Sequence, residues 1–350
     1  MGSTPNDRIR VAVVGVGHLG KHHARILGEL PEVELVAVVD KRLPQAQTVA
    51  AKLKCGACQD VEELPPDLDA AVIAVPTTLH HVVARHLLER PVHLLIEKPL
   101  THSVELANQI VEQARAKGVI LQVGHIERFN PACRAFKVLD NHRPVHLIQC
   151  VREVPYSFRS TDIGAVLDLM IHDIDLVLWI TGELPAAIQA AAWNHFGGHE
   201  DVAVATLYFP SGTVAQCLAS RISPHVRREL RVYAQHFDLY VDLLRSKANV
   251  MEATRFVEQD LALFRQPPAE RIASLRDQLF ERYFTRRELA WPSVLEPLRA
   301  ELQHFIRCIR SGARPIVDGL AGRNAVAVAA AVLEQARTAS LRLRPSTKAA

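Results

Sequence analysis

One segment constrains this chain more than any other: Gly15-Val16-Gly17-His18-Leu19-Gly20, set between the apolar run 11–14 and the helical stretch 18–30. Glycines at this spacing are required where a strand turns sharply into a helix that must hold a pyrophosphate. Gly15 makes the tight turn, Gly17 lets the backbone approach the phosphates, and Gly20 lets helix and strand pack closely. The helix N-terminus then presents free N–H groups and a positive dipole to the anion. Asp40 ends the next apolar run, twenty residues after Gly20. A carboxylate there accepts hydrogen bonds from the adenosine ribose hydroxyls and repels a 2′-phosphate, which favours NAD. Lys41 and Arg42 follow it and keep NADP open.

The first 125 residues repeat the same alternation. Near-continuous apolar runs at 11–14, 35–39, 70–75, 92–96 and 119–123 are separated by helical stretches at 18–30, 44–53, 78–90 and 104–117. Runs apolar on both faces belong to a parallel sheet covered by helices, so the spacing predicts a doubly wound α/β domain. Ser103 is placed to cap the last of these helices and Gly118 to close it.

After Asn130-Pro131 the pattern changes. A helix at 131–139 leads to a strand at 145–152 and a long helix at 163–180. Period-2 runs follow at 187–192, 202–209, 213–219, 231–234 and 237–243, with hairpin turns at Pro210-Ser211-Gly212 and Gln235-His236. These predict an α+β domain with a largely antiparallel open sheet. Two domains result, 1–127 and 128–345. Residues 257–291 are Arg-rich and carry no clear period, Ser293-Val294-Leu295-Glu296 reads as a capping box, and 322–339 is an Ala-rich helix.

Composition excludes several classes. The formal charge is +3, from 41 basic and 38 acidic residues, and even Arg227-Arg228-Glu229-Leu230-Arg231 and Arg286-Arg287-Glu288 are interrupted by an acid. A nucleic-acid binder carries a clustered basic stripe instead. No apolar run approaches the ~18 residues of a membrane span, and residues 1–8 lack a secretory core. Six cysteines, with only Cys55 and Cys58 closely paired, make neither a disulfide framework nor a zinc site. The expectation is a cytoplasmic protein with no metal, no membrane and no nucleic-acid partner.

Two constellations carry candidate chemistry. Glu97-Lys98-Pro99 follows the run 92–96, at the carboxyl edge of the sheet where ligands bind in such folds. A lysine there can reach both a reacting hydroxyl and the nicotinamide ribose. In Asp168-Leu169-Met170-Ile171-His172-Asp173-Ile174-Asp175, Asp168 and His172 are four apart and share a helix face. A carboxylate beside the imidazole would stabilise its protonated form and make it a proton acceptor. A core Asp–His pair has the same spacing.

Together these motifs resemble the glucose–fructose oxidoreductase / inositol dehydrogenase (Gfo/Idh/MocA) family. The resemblance extends to Gly164, Pro76-Thr77-Thr78-Leu79-His80, Arg128-Phe129-Asn130-Pro131 and Gly312-Ala313-Arg314-Pro315. It implies that Lys98, Asp168 and His172 are catalytic. His172 would take the hydroxyl proton, Asp168 would orient and charge-balance it, and Lys98 would polarise the reacting oxygen. His18, Leu19, Lys41, Pro76, Thr77, His80 and Glu97 would join Gly15, Gly17, Gly20, Asp40 and Lys98 around NAD. The string Val123-Gly124-His125-Ile126-Glu127-Arg128-Phe129-Asn130-Pro131 is similar to the branch that oxidises the C3 hydroxyl of UDP-N-acetylglucosamine, ahead of a transaminase on the route to amide-linked lipid A. Arg128, Arg152, Tyr156, Arg159 and Trp193 are then candidate substrate contacts beside Lys98, Asp168 and His172. Inositol, free-sugar or UDP-N-acetylglucosaminuronate oxidation are alternatives, as is a non-catalytic nucleotide-binding regulator. The resemblance also implies a homodimer or homotetramer.

Overall fold

The computed structural model describes residues 8–343 apart from 142–143, 159–161, 197 and 292–295. Six strands form the first sheet: β1 (Ile9–Val14), β2 (Val33–Val39), β3 (Gly56–Cys58), β4 (Ala70–Ile73), β5 (His93–Glu97) and β6 (Leu121–Gly124). Helices α1 (Gly20–Glu29), α2 (Leu43–Leu53), α3 (Thr77–Leu87) and α4 (Val104–Ala116) connect them. The order is β3-β2-β1-β4-β5-β6 and every pairing is parallel. Order reverses between β1 and β4, and the crevice outside the carboxyl ends at such a switch point is where ligands bind. β4 is buried at all its positions, as a strand covered on both faces must be. The Ser103 hydroxyl caps α4 by accepting from Leu106 N–H.

The second sheet has eight strands: β7 (Val145–Glu153), β8 (Ala187–Trp193), β9 (Val202–Tyr208), β10 (Val214–Ser220), β11 (Arg227–Ala234), β12 (Phe237–Asp242), β13 (Lys247–Ala253) and β14 (Phe284–Ala290). Its order is β14-β13-β12-β11-β7-β10-β9-β8, antiparallel except for β7 beside β10. Both predicted hairpins are present, β9 with β10 and β11 with β12. Alternation decides the faces. Ile148, Cys150, Ala205, Ala215, Cys217, Leu230 and Val232 are buried on one side, against α5 (Ile171–Thr181).

Four expectations need correction. The helix expected at 131–139 is a run of 3-10 turns, Pro131–Asn141. The single helix expected over 163–180 is broken: a π-helical turn at Val166–Met170 precedes α5. Residues 257–291 hold α6 (Arg255–Gln259), α7 (Leu261–Arg265), α8 (Ile272–Arg282) and the edge strand β14, whose pairing with β13 depends on tertiary partners that a local pattern does not reveal. Helix α9 (Pro297–Ser311) starts at proline with Glu296 as its N-cap residue, making no side-chain cap bond. Ser293 of the expected capping box lies outside the described residues, and Glu296 instead pairs with Arg25 at 2.9 Å.

The C-terminal elements reach back across the molecule. Leu302, Phe305 and Ile306 of α9 share one core with Val11, Val13, Ile26 and Leu27 of the first domain. Helix α10 (Gly319–Leu343) packs on α4 of the first domain and on α5 and β8 of the second. A Cβ at Gly319 would sit 2.4 Å from Leu121, and one at Gly322 would sit 2.5 Å from Val123, so both glycines permit close packing against β6. No helix of the described residues is long and apolar enough to cross a membrane.

Candidate active site

The fingerprint loop has the shape its glycines require. Gly15 has φ +86°, and a Cβ there would lie 2.7 Å from the Ala74 carbonyl oxygen; a Cβ on Gly20 would lie 1.7 Å from the Gly15 oxygen. Gly17 is different, since a Cβ there meets nothing within 4 Å. Two glycines are therefore demanded by the protein's own packing. The third faces open space at the head of α1, where a pyrophosphate fits. Leu19, at the N-cap position, has no side-chain acceptor to compete for the helix's leading N–H groups. Asp40 accepts from Val16 N–H at 3.1 Å and from Arg42 N–H at 3.0 Å, which ties the end of β2 to the loop. Lys41 leans away into an ion pair with Asp60. His18 and Leu19 are exposed beside the loop, and Pro76 is exposed at the start of α3 with Thr77 buried behind it.

Two of the residues expected around NAD, His80 and Glu97, are buried and bonded within the first domain. His80 is 1% exposed. Its ring nitrogens lie 2.9 Å from the Pro99 and Val75 carbonyl oxygens, linking the β4 and β5 loops. Burial lowers its pKa despite those acceptors. The Glu97 carboxylate lies 2.6 Å from His23 Nε2 on α1 and accepts from the Lys98 N–H at 3.2 Å. Burial raises its pKa, but the His23 bond and charge outweigh that and keep it below the usual range. A Cβ at Gly124 would fall 2.9 Å from this carboxylate, so that glycine makes room for it. Nearby, Glu301 of α9 has both carboxyl oxygens buried without a protein partner. Burial, with Glu97 adding to it, drives the Glu301 pKa well up.

Lys98 crosses from the first domain to the second. Its Nζ donates to the Asp168 backbone oxygen at 2.7 Å and to Asp168 Oδ1 at 3.0 Å. The chain at Asp168 is set by Glu200, whose Oε1 accepts from Val166 N–H at 2.9 Å. A Cβ on Gly164 would meet that carboxylate at 2.0 Å, which explains a glycine at the head of this segment. His172 follows in the first turn of α5, partly exposed but with Nδ1 buried and unpartnered. Burial first, then the charges of Lys98 and Arg152, push its pKa well below the ordinary value.

This corrects the expected Asp–His couple. Asp168 is held by Lys98, and His172 is a neutral imidazole in cationic surroundings rather than one whose protonated form a carboxylate favours. The π-helical turn changes the register between the two residues, so spacing alone misjudged which groups pair.

The next acids of the motif anchor α5. Asp173 is bound by Arg152, which also donates to Glu127 at 2.8 Å. Asp175 takes a bidentate pair from Arg128 at 2.7 and 2.8 Å. Arg152 is 2% exposed, and Arg128 further donates to the Ile316 carbonyl oxygen at 3.0 Å. Both were expected as substrate contacts; both are fully engaged in fixing the helix that carries His172. Trp193 also needs correction. It pairs with Val202 on the sheet face opposite the one α5 covers. Arg159 lies outside the described residues. Tyr156 sits in an aromatic cluster with Phe158 and Phe196, beneath the Arg221 guanidinium, and Arg221 in turn donates to the Ile163 carbonyl oxygen just before the Asp168 segment.

Sequence reasoning missed two residues. Arg228 lies opposite Arg152 in the β11–β7 register, with its side chain 43% exposed and only a 4.0 Å contact to Glu127. His125, at the carboxyl end of β6, is fully buried with its ring edge-on to His172 at 6.4 Å between centres. A polar residue following the last strand of the first sheet at the ligand-binding rim was the available signal for His125. For Arg228, only the sheet register reveals it. Cys55 and Cys58 are free thiols, and no grouping of metal-ligating side chains occurs among the described residues.

Comparison with known proteins agrees with this architecture. A family model described as an oxidoreductase family with an NAD-binding Rossmann fold matches residues 9–125, and the GFO/IDH/MocA C-terminal domain matches residues 145–238. The chain is 32% identical to UDP-N-acetylglucosamine 3-dehydrogenase of Acidithiobacillus ferrooxidans, over 92% of this chain and 95% of that one. It is 27% identical to scyllo-inositol 2-dehydrogenase (NAD(+)) of Bacillus subtilis, over 89% and 90%. The solved structure of the Acidithiobacillus ferrooxidans enzyme superposes with a TM-score of 0.82, at 30% identity over 95% of this chain and 98% of that one.

Proposed function

Because this chain belongs to the GFO/IDH/MocA family of NAD-binding oxidoreductases, we propose that it oxidises the C3 hydroxyl of a UDP-sugar, UDP-N-acetylglucosamine first, to the 3-keto form. The product would suit an aminotransferase. The observation that carries the reading is the approach of Lys98, from the carboxyl edge of the first sheet, to Asp168 within one turn of His172 on the second domain.

NAD, when bound, supplies the hydride acceptor. The protein's share is proton handling and orientation. Neutral His172 takes the carbinol proton, since a base must be unprotonated to act and burial keeps it so at neutral pH. The Lys98 ammonium, fixed by Asp168, holds the reacting oxygen and stabilises the negative charge that develops on it. Gly15, Gly17, Gly20 and Asp40 hold the dinucleotide. We assign residues 1–127 to the cofactor domain and 128–345 to the substrate domain.

Arg228 supports an anionic substrate. Unlike Arg128 and Arg152 it is not tightly paired with a carboxylate, and it lies on the sheet face that Asp173 and His172 abut. We assign it to the diphosphate and Tyr156 to the base. Trp193, Val204 and Tyr208 are exposed on the open sheet face, which we propose as the surface of a homodimer or homotetramer.

The test is NADH formation with UDP-N-acetylglucosamine, UDP-N-acetylglucosaminuronate, free N-acetylglucosamine, scyllo-inositol and myo-inositol. The expected result is a kcat/KM for UDP-N-acetylglucosamine at least about tenfold above the others, with Arg228→Met raising KM by a similar factor, a loss of ~1.4 kcal/mol. Turnover of inositols but of no nucleotide sugar sinks the substrate assignment. It would favour the inositol reading suggested by the second relative.

A further inference from the structure

Three ring nitrogens in two adjacent side chains are buried without a protein partner: Nδ1 and Nε2 of His125, and Nδ1 of His172. Buried polar groups in folded proteins almost always have a partner, in protein or in ordered water. The rings lie edge-to-face with centres 6.4 Å apart. A direct N–H···N bond needs centres about 5 Å apart, whereas one bridging water accommodates separations up to about 7 Å. The separation is too wide for the first and right for the second. Such a water would have one partner on each ring, within the range of about two to four that buried waters make.

We propose that His125 positions His172 through a bridging water that accepts the His172 Nδ1–H and donates to a His125 nitrogen, leaving His172 Nε2 as the proton acceptor. Which imidazole nitrogen carries the proton is set by the bond the other one makes. The family resemblance implies this orienting task for Asp168, but Lys98 holds that carboxylate. Nothing else in the described protein bonds to His172 Nδ1. The bridge requires His125 to be neutral. Burial, with Arg128 and Lys98 adding to it, keeps it so against the opposing charges of Asp175 and Glu97. His172 is faced by Lys98, by Arg152 of β7, by Arg228 of β11 and by His125 itself, all of which disfavour a second proton.

The proposal rests on His172 being the base, and its test separates the two claims. In protein alone, ¹⁵N-histidine NMR above the His172 pKa should show the Nδ1–H tautomer dominant for His172. His125→Phe should turn that into mainly Nε2–H. With NAD and UDP-N-acetylglucosamine, His125→Phe should lower kcat about tenfold, ~1.4 kcal/mol, and leave KM within about twofold. His125→Gln, which can still bind a water, should recover most of that loss. A dominant Nε2–H tautomer in the wild type, or an unchanged tautomer in folded His125→Phe, overturns the proposal. The wild-type tautomer decides the matter if that variant does not fold. Failure to turn over any sugar, with the tautomer result as expected, instead overturns the function and leaves the imidazole pair standing.

Discussion

At the scale of single residues, the chemistry turns on how burial divides charge among Lys98, Asp168 and His172. Lys98 and Asp168 form an ion pair at 3.0 Å. His172 has no such partner, and desolvation leaves it neutral. His172→Asn should lower kcat by about 10²- to 10⁴-fold, the range for loss of a general base, with NAD binding unchanged by fluorescence titration. The acid limb of kcat/KM should lie below the ordinary histidine value of 6.5, because the folded pKa is depressed. The same shift has a stability sign. Between the folded value and 6.5 the unfolded chain binds the extra proton, so stability is full above 6.5 and declines as pH falls through that window. His125 contributes in the same direction. Lys98 was legible in the sequence at the end of a strand, and His172 on a helix face shared with Asp168. Their partners were not, because an ion pair between residues seventy positions apart depends on how two domains meet.

At the scale of elements, the fingerprint was the most legible part, because its glycines answer steric demands that are local. It also separates packing from binding. Gly20→Ala forces a methyl group against the Gly15 carbonyl, and overpacking of this kind costs roughly 1–3 kcal/mol. Gly17→Ala meets no protein atom, so its melting temperature should match wild type while NAD affinity falls about tenfold or more, ~1.4 kcal/mol. Calorimetry on both variants checks this, and a Gly17→Ala melt well below wild type would contradict it. The helix bearing Asp168 and His172 was legible, but its π-helical turn was not. One inserted residue per turn leaves the hydrophobic pattern nearly intact while rotating the residues C-terminal to it. Strand β14 was missed for another reason: its side chains are mostly exposed, so no alternation marks it.

At the scale of the whole molecule, α9 and α10 tie the two sheets together. Helix α9 shares the first domain's core, while α10 lies against α4, α5 and β8, so the cleft between the domains has continuous packing behind it. The protein should therefore unfold in a single calorimetric transition. NAD at a hundred times its Kd should add about 2.7 kcal/mol to its stability. Two separated transitions, with only one moved by NAD, would show the domains to be independent. Both folds were already written in local patterns: strand and helix periods and glycine turns are short-range properties that each segment carries with it. Which charges are paired, and which are left free for chemistry, was settled only when the domains packed. Arg128 and Arg152 became struts, Arg228 stayed half-exposed and His125 came to lie beside His172, because burial and distance set the cost of a charge and neither is a local property of the chain.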